Sequence, residues 1–170
     1  MLFRSIAIDN SGCSAAECEL TYGDNRYTVD FDALERRAAD PAVKLMLLCN
    51  PHNPAGRVWT PEELRRIGDI CLRRDILVVA DEIHCELVMP GFRYTPFASL
   101  SEEFARRSVT CASPSKAFNL AGVQVANIFA ADAGLRERIA RSLEINETGM
   151  ISPFAIEALT AAYTDGAEWL

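Results

Sequence analysis

Basic charge is scarce in this sequence. Seventeen Lys and Arg face 24 Asp and Glu, for a formal net charge of −7, and Lys44 and Lys116 are its only lysines. With no Lys/Arg stripe to displace counterions, the composition argues against binding a nucleic-acid backbone. Long apolar runs are also missing. A membrane-spanning helix needs roughly 20 such residues, whereas the longest runs, Leu45 to Cys49 and Ile76 to Ala80, have strand length. The opening Met1-Leu2-Phe3-Arg4-Ser5 lacks the charged region and apolar stretch of a signal peptide. We therefore expect a cytoplasmic protein that engages no membrane. No two of the cysteines, at 13, 18, 49, 71, 85 and 111, have C-x-x-C spacing, and only His52 and His84 could complement them. Structural zinc usually needs clustered ligand pairs, so no metal is expected and all the thiols read as reduced. Internal repeats and low-complexity linkers are absent as well.

What remains is ordinary globular composition, 49% apolar and 24% charged over 170 residues. At about 150 residues per domain this is roughly one domain's worth of chain. The first 30 residues read as irregular, with one short strand near Glu17 to Leu20 and a turn at Tyr22 to Arg26. Asp30 can cap a helix from Phe31 to about Ala39. Val43 to Cys49 reads as a strand, and Asn50 to Arg57, with two prolines and a glycine, as a loop. Thr60-Pro61-Glu62-Glu63 then opens a helix. Threonine is N-cap, proline N1, and glutamate at N3 completes a capping box. Further strands are expected at Ile76 to Ala80, Ser108 to Ala112 and about Val125 to Ala130. Helices follow from about Gly134 to Ile145 and from Ser152-Pro153 to about Tyr163.

This order predicts an α/β sheet with buried parallel strands. Ligands of such sheets bind beyond the carboxyl ends of the strands. Three successive strand ends carry polar residues: Asn50 and Asn53, then Asp81 and His84, then Ser113, Ser115 and Lys116. Singly, each has an ordinary structural explanation. Lys116 alone reads first as a surface lysine and only second as an amine nucleophile, Asp81 as a cap or a salt-bridged carboxylate, Asn53 as a turn residue, and His84 as a hydrogen-bonded core residue. Together they supply what a pyridoxal phosphate site needs: an amine for the Schiff base, a carboxylate for the pyridine nitrogen, and polar donors for the ring oxygen and phosphate. Two unit charges about 4 Å apart at an effective dielectric of about 20 attract by about 4 kcal/mol before desolvation, enough to bias the ring nitrogen toward its protonated form.

The segments Cys49-Asn50-Pro51-His52-Asn53-Pro54-Ala55-Gly56-Arg57-Val58-Trp59, Asp81-Glu82-Ile83-His84 and Ser113-Pro114-Ser115-Lys116-Ala117-Phe118-Asn119-Leu120-Ala121-Gly122 resemble a known family in order and spacing. They look like the fold-type I pyridoxal phosphate enzymes of the class I/II aminotransferase superfamily. The nearest branch is the cystathionine β-lyases, the MalY/PatB type of C–S lyase. The N-P-H-N-P-x-G-R-x-W form, the histidine of D-E-I-H and the stretch from Ser152-Pro153 to Trp169-Leu170 point to that branch.

The resemblance implies a three-layer α/β sandwich with a mostly parallel sheet, here incomplete. Residues 1–131 would belong to the cofactor-binding large domain. Residues 132–170 would form a long helix and a following helix leading toward a small domain. It implies pyridoxal 5′-phosphate as cofactor, with Lys116 bonded to it and later moving the substrate α-proton. Asp81 would pair with the pyridinium nitrogen. Asn53 and His84 would reach the ring oxygen, and Ser113 and Ser115 the phosphate. Gln124 stands where many aminotransferases carry a phosphate-binding arginine, a departure that fits the lyase branch. The implied reaction is β-elimination from cystathionine or another cysteine S-conjugate, giving a thiol, pyruvate and ammonia. Aminotransfer on the same scaffold is the alternative. The resemblance covers a middle portion of such enzymes, and it implies a homodimer for the full-length form. This chain is expected to be a fragment that could be inactive and only associate with a full-length homologue.

Overall fold

The structure, a computed structural model, describes residues 2–170, with side chains from residue 6 onward; Met1 lies outside. The chain divides into two compact units, one ending at Val43 and the other spanning Lys44–Leu170.

The first unit departs from the expectation of irregular structure over its first 30 residues only. It holds helix α1 (Leu2–Asn10), a hairpin of β1 (Leu20–Gly23) and β2 (Arg26–Val29), and helix α2 (Phe31–Ala38). The sequence spacings Leu2–Ile6 and Phe3–Ala7 suit a helix, but no capping residue announces it. At the hairpin tip Asp24 and Asn25 have φ of 49° and 56°, the paired left-handed residues of a tight hairpin turn. Across it the Tyr22 and Tyr27 rings sit 4.8 Å apart. Asp30 caps α2 as its sequence indicates, accepting a hydrogen bond from Ala33 N–H at 2.8 Å.

The second unit is built on a four-stranded sheet in the order β3 (Leu45–Cys49), β4 (Leu77–Asp81), β5 (Ser108–Ala112), β6 (Asn127–Phe129). The first three run parallel and β6 runs antiparallel to β5. Helix α3 (Pro61–Arg73) joins β3 to β4, and the short α4 (Glu102–Arg106) precedes β5. Between β5 and β6 there is only the 3-10 turn Ala121–Val123. Without a full crossover helix the chain doubles back, which makes β6 antiparallel. Helices α5 (Ala133–Ile145) and α6 (Pro153–Asp165) follow, then a 3-10 turn at Gly166–Glu168.

Sequence dictates α3 closely. Thr60 Oγ1 accepts from Glu63 N–H at 3.2 Å, and the Glu63 carboxylate accepts from Thr60 N–H at 2.8 Å, closing the capping box. Its apolar face buries Leu64, Ile67, Ile70 and Cys71. Gly68 lies under the Phe104 ring of α4, where an added Cβ would come within 2.7 Å of Cε2. Phe104 in turn stacks on Phe97, with ring centroids 5.2 Å apart. Burial of β3 is less complete than its apolar run suggests: Leu48 and Cys49 are buried, but Leu45 and Leu47 are 47% and 43% exposed. The reason is position, because β3 is an outer strand of this sheet.

Candidate functional site

The register of the parallel strands builds one row of chemistry. Cys49 pairs with Asp81, and Asp81 with Cys111. In-register residues of neighbouring parallel strands project from the same face. Asp81 therefore has a cysteine on either side. The ladder runs one step further: Asn50 N–H donates to Asp81 O at 3.0 Å, and Glu82 N–H to Cys111 O at 2.8 Å. The loops that carry Asn53, His84, Ser115 and Lys116 all leave from this single edge, the carboxyl ends of β3, β4 and β5.

The loop after β3 is braced from below. His52 N–H donates to Arg57 O at 2.7 Å and Gly56 N–H to His52 O at 2.8 Å. Gly56 has φ +64°, a conformation that favours glycine. Trp59 is 2% exposed and its Nε1–H donates to Cys49 O at 2.9 Å. The Arg57 guanidinium lies 4.6 Å from the Trp59 ring centroid and pairs with Glu63 at 2.5 Å. Arg57 thus ties the loop to the N-terminus of α3. This bracing presents Asn53, which is exposed, while its backbone N–H contacts Cys49 Sγ at 3.5 Å.

The end of β4 holds a residue that sequence reasoning passed over. Glu82 is 2% exposed. Its carboxylate accepts from Phe97 N–H at 2.9 Å, from Asn50 Nδ2 at 3.4 Å and from the Tyr94 hydroxyl. Asn50 Nδ2 also donates to Thr95 O at 2.9 Å. The three segments around residues 50, 82 and 94–97 are thereby fastened together directly behind Asp81. Burial pushes the Glu82 carboxyl above its usual range, against the hydrogen bonds that pull it down. The signal available in sequence was a carboxylate following a buried strand, and Asp81 drew the attention instead. Asp81 itself is half-buried and accepts from Ile83 N–H at 3.3 Å. His84 is half-buried on the turn beyond, and its carbonyl accepts from Leu87 N–H at 3.0 Å. Burial, followed by the charges of Asp81 and Glu82, raises the Cys111 thiol, which keeps that neighbour of Asp81 protonated.

After β5 come Ser113, Ser115 and Lys116. Ser113 is 3% exposed, donates to Val125 O at 2.6 Å and accepts from Ser115 N–H at 3.1 Å. Its proton is thus engaged by the backbone, whereas the half-buried Ser115 keeps its hydroxyl outside any hydrogen bond among the described residues. Lys116 is exposed on the turn. Neither its amine nor the Asn53 side-chain amide enters a hydrogen bond or ion pair among the described residues. Gln124 is exposed with φ 55°. Asp81 and Ser113 thus sit at adjoining strand ends, and Asn53, His84, Ser115 and Lys116 occupy the loops that leave the same edge.

A mixed sheet that gathers an amide loop, a strand-terminal carboxylate and a lysine turn at one edge defines an α/β domain of the pyridoxal phosphate-dependent transferase type, fold-type I. Residues 7–169 match the family Aminotransferase class I and II, and the chain belongs to it. Cystathionine beta-lyase PatB of Bacillus subtilis is 45% identical over 163 residues, 96% of this chain and 42% of that protein. MalY of Escherichia coli is 35% identical over 83% of this chain and 36% of its own length. Among solved structures, cystalysin from Treponema denticola, which contains pyridoxal 5′-phosphate, superposes with a TM-score of 0.94 at 38% identity, over 96% of this chain and 42% of that one. The pyridoxal phosphate-bound C–S lyase of Staphylococcus hominis gives 0.87 at 33%, over 96% and 41%. The chain therefore spans about two-fifths of the length of these relatives. The donors present fit the cofactor: a carboxylate for a ring cation, and an unengaged amine, amide and hydroxyl on the loops around it.

Proposed function

We propose that this chain carries the lysine-bearing part of a pyridoxal 5′-phosphate-dependent C–S β-lyase. In this reading Lys116 bonds the cofactor and Asp81 holds its ring nitrogen. Asn53 and His84 approach the ring oxygen, and Ser113 and Ser115 serve the phosphate. When bound, the cofactor supplies an electron sink for charge developing at the substrate α-carbon. Freed when the substrate amine takes its place, Lys116 would take the α-proton, and the Cβ–S bond would break with its electron pair leaving on sulfur. With one water consumed by hydrolysis, the products would be a thiol, pyruvate and ammonia from cystathionine or another cysteine S-conjugate. The observation that carries this reading is the arrival of the Asn53 loop, Asp81 and the Lys116 turn at one sheet edge, in a chain 45% identical to a cystathionine β-lyase.

Residues 1–131 would form part of the cofactor-binding domain, and 132–170 would lead toward a smaller one. The full-length form would be a homodimer. The cysteines, all free among the described residues, support a reducing, cytoplasmic setting. Among the described residues no helix is long and apolar enough to cross a membrane.

The test is to incubate the purified chain with pyridoxal phosphate, reduce with borohydride, digest, and locate the adduct by mass spectrometry. The expected result is labelling of Lys116 in preference to Lys44. Equal labelling, or none on a folded chain, would overturn the assignment of Lys116. A thiol-release assay with cystathionine then separates elimination from aminotransfer. Thiol release without a keto acid supports the lyase, whereas amino-group exchange that requires a keto acid marks an aminotransferase.

A further inference from the structure

The turn that carries Lys116 is short and mostly self-contained. Phe118 N–H donates to Pro114 O at 2.9 Å and Leu120 N–H to Ser115 O at 3.1 Å. Neither bond reaches outside the turn. Three contacts that do reach outside it come from the end of α6 and the residues just after it. Trp169 Nε1–H donates to Ala117 O at 2.8 Å, a bond between residues 52 apart in the chain. The Tyr163 ring meets the Phe118 ring edge-on at 83°, with centroids 5.8 Å apart. Gly166 lies against the same ring, where an added Cβ would come 2.6 Å from Phe118 Cε1. The carbonyl that Trp169 holds belongs to Ala117, the residue next to Lys116 in the chain, and so to the Ala117–Phe118 peptide. Ala117 itself is only 5% exposed. Trp169 is 67% exposed, so its ring buries little and its fixed contribution is the N–H bond.

We propose that Trp169, backed by Tyr163 and Gly166, is a positioning residue for the turn that presents Lys116. By fixing the Ala117 peptide it narrows the directions in which the lysine side chain leaves the backbone. Phe118, wedged between Tyr163 and Gly166, stops the turn from rotating about that bond. The consequence for the amine rests on the assignment of Lys116 made above, whereas the clamp itself can be measured with no cofactor present.

The experiment compares the chain with its Trp169→Phe and Gly166→Ala variants. Trp169→Phe removes the donor and keeps an aromatic ring, while Gly166→Ala pushes on Phe118. Amide hydrogen exchange is read at Phe118 and Leu120, with the amides of β4 as internal reference. Loss of one hydrogen bond should speed exchange at these two positions by about three- to tenfold, with β4 unchanged. The same proteins are then labelled with pyridoxal phosphate and borohydride. The ratio of Lys116 to Lys44 adduct should fall about threefold or more in both variants. Unaltered exchange at Phe118 and Leu120 in Trp169→Phe overturns the proposal, whatever the labelling shows. Faster exchange with an undiminished labelling ratio also overturns it, because the turn would then be held without aiming the amine. Absence of selective Lys116 label in the unsubstituted chain overturns the assignment of Lys116 instead, and the exchange result still decides the clamp.

Discussion

Two adjacent carboxylates at the end of β4 have opposite surroundings. Asp81 stands half-buried in the row between Cys49 and Cys111, while Glu82 is almost wholly buried behind it and accepts three hydrogen bonds. Asp81→Asn keeps the shape and removes the charge that would hold a ring cation. A loss of 1.4 kcal/mol is tenfold in affinity, and we expect pyridoxal phosphate to bind about tenfold more weakly or worse, read by fluorescence titration. Retained affinity would remove Asp81 from its assigned role. Glu82→Ala strands the donors of Phe97, Asn50 and Tyr94, and should cost about 2–4 kcal/mol in a urea melt. Glu82→Gln addresses charge alone. Burial raises the carboxyl in the folded state above its unfolded value of about 4.3. Its contribution to stability is thus fully present below that value and lost as pH rises through the folded one. The melting temperature of Glu82→Gln relative to the parent should therefore improve as pH rises from the unfolded value through the folded one. A flat or falling difference would show that the three donors outweigh burial.

At the scale of elements, the most local signals are the most legible. Thr60 and Glu63 announce α3, and the structure closes the capping box between them. Thr60→Ala should cost about 1 kcal/mol in thermal or urea unfolding, and no loss would mean that Glu63 caps the helix alone. Gly68 shows the opposite case. Its sequence context is an amphipathic helix in which alanine looks better by about 1 kcal/mol. Phe104 nevertheless occupies the space that a Cβ would need. Gly68→Ala should destabilise by about 1–3 kcal/mol through overpacking, and a stabilised variant would show that the Phe104 ring moves freely. The same division explains what could be read of the fold. Each strand after Val43 was recognisable from its apolar run and its polar end, and the capped helices α2 and α3 from their caps. Helix α1 was missed because it has no cap and the second strand of the hairpin because it has little apolar content, while the direction of β6 depends on a connection whose only helix is a 3-10 turn. The strand-end positions of Asn53, Asp81 and Lys116 were legible because topology alone brings the ends of parallel strands together. Glu82, Tyr94 and Trp169 were not, because their partners lie 15, 12 and 52 residues away and only packing reveals them.

The four-stranded sheet has two outer strands, and both show apolar side chains to solvent among the described residues. Leu45 and Leu47 on β3 are 47% and 43% exposed, and Ile128 and Phe129 on β6 are 42% and 57%. An outer strand offers unpaired backbone groups to any neighbouring chain, and apolar side chains beside them make such pairing favourable. The net charge of −7 opposes association, but salt screens charges over about 8–10 Å while leaving strand pairing and apolar contact intact. The isolated 170-residue polypeptide should therefore self-associate with rising concentration, and more strongly as salt is raised. Leu47→Lys places a charge on the exposed position of β3, where it meets water rather than a packed core. It should weaken self-association by about tenfold with little change in melting temperature, since a surface substitution of this kind usually shifts stability by less than about 0.5 kcal/mol. Sedimentation velocity across a concentration series at two salt levels measures both effects. A parent chain that stays monomeric at high salt would show that these edges are protected. A parent chain that associates equally with and without the lysine would move the contact away from β3, leaving β6 as the edge to substitute next.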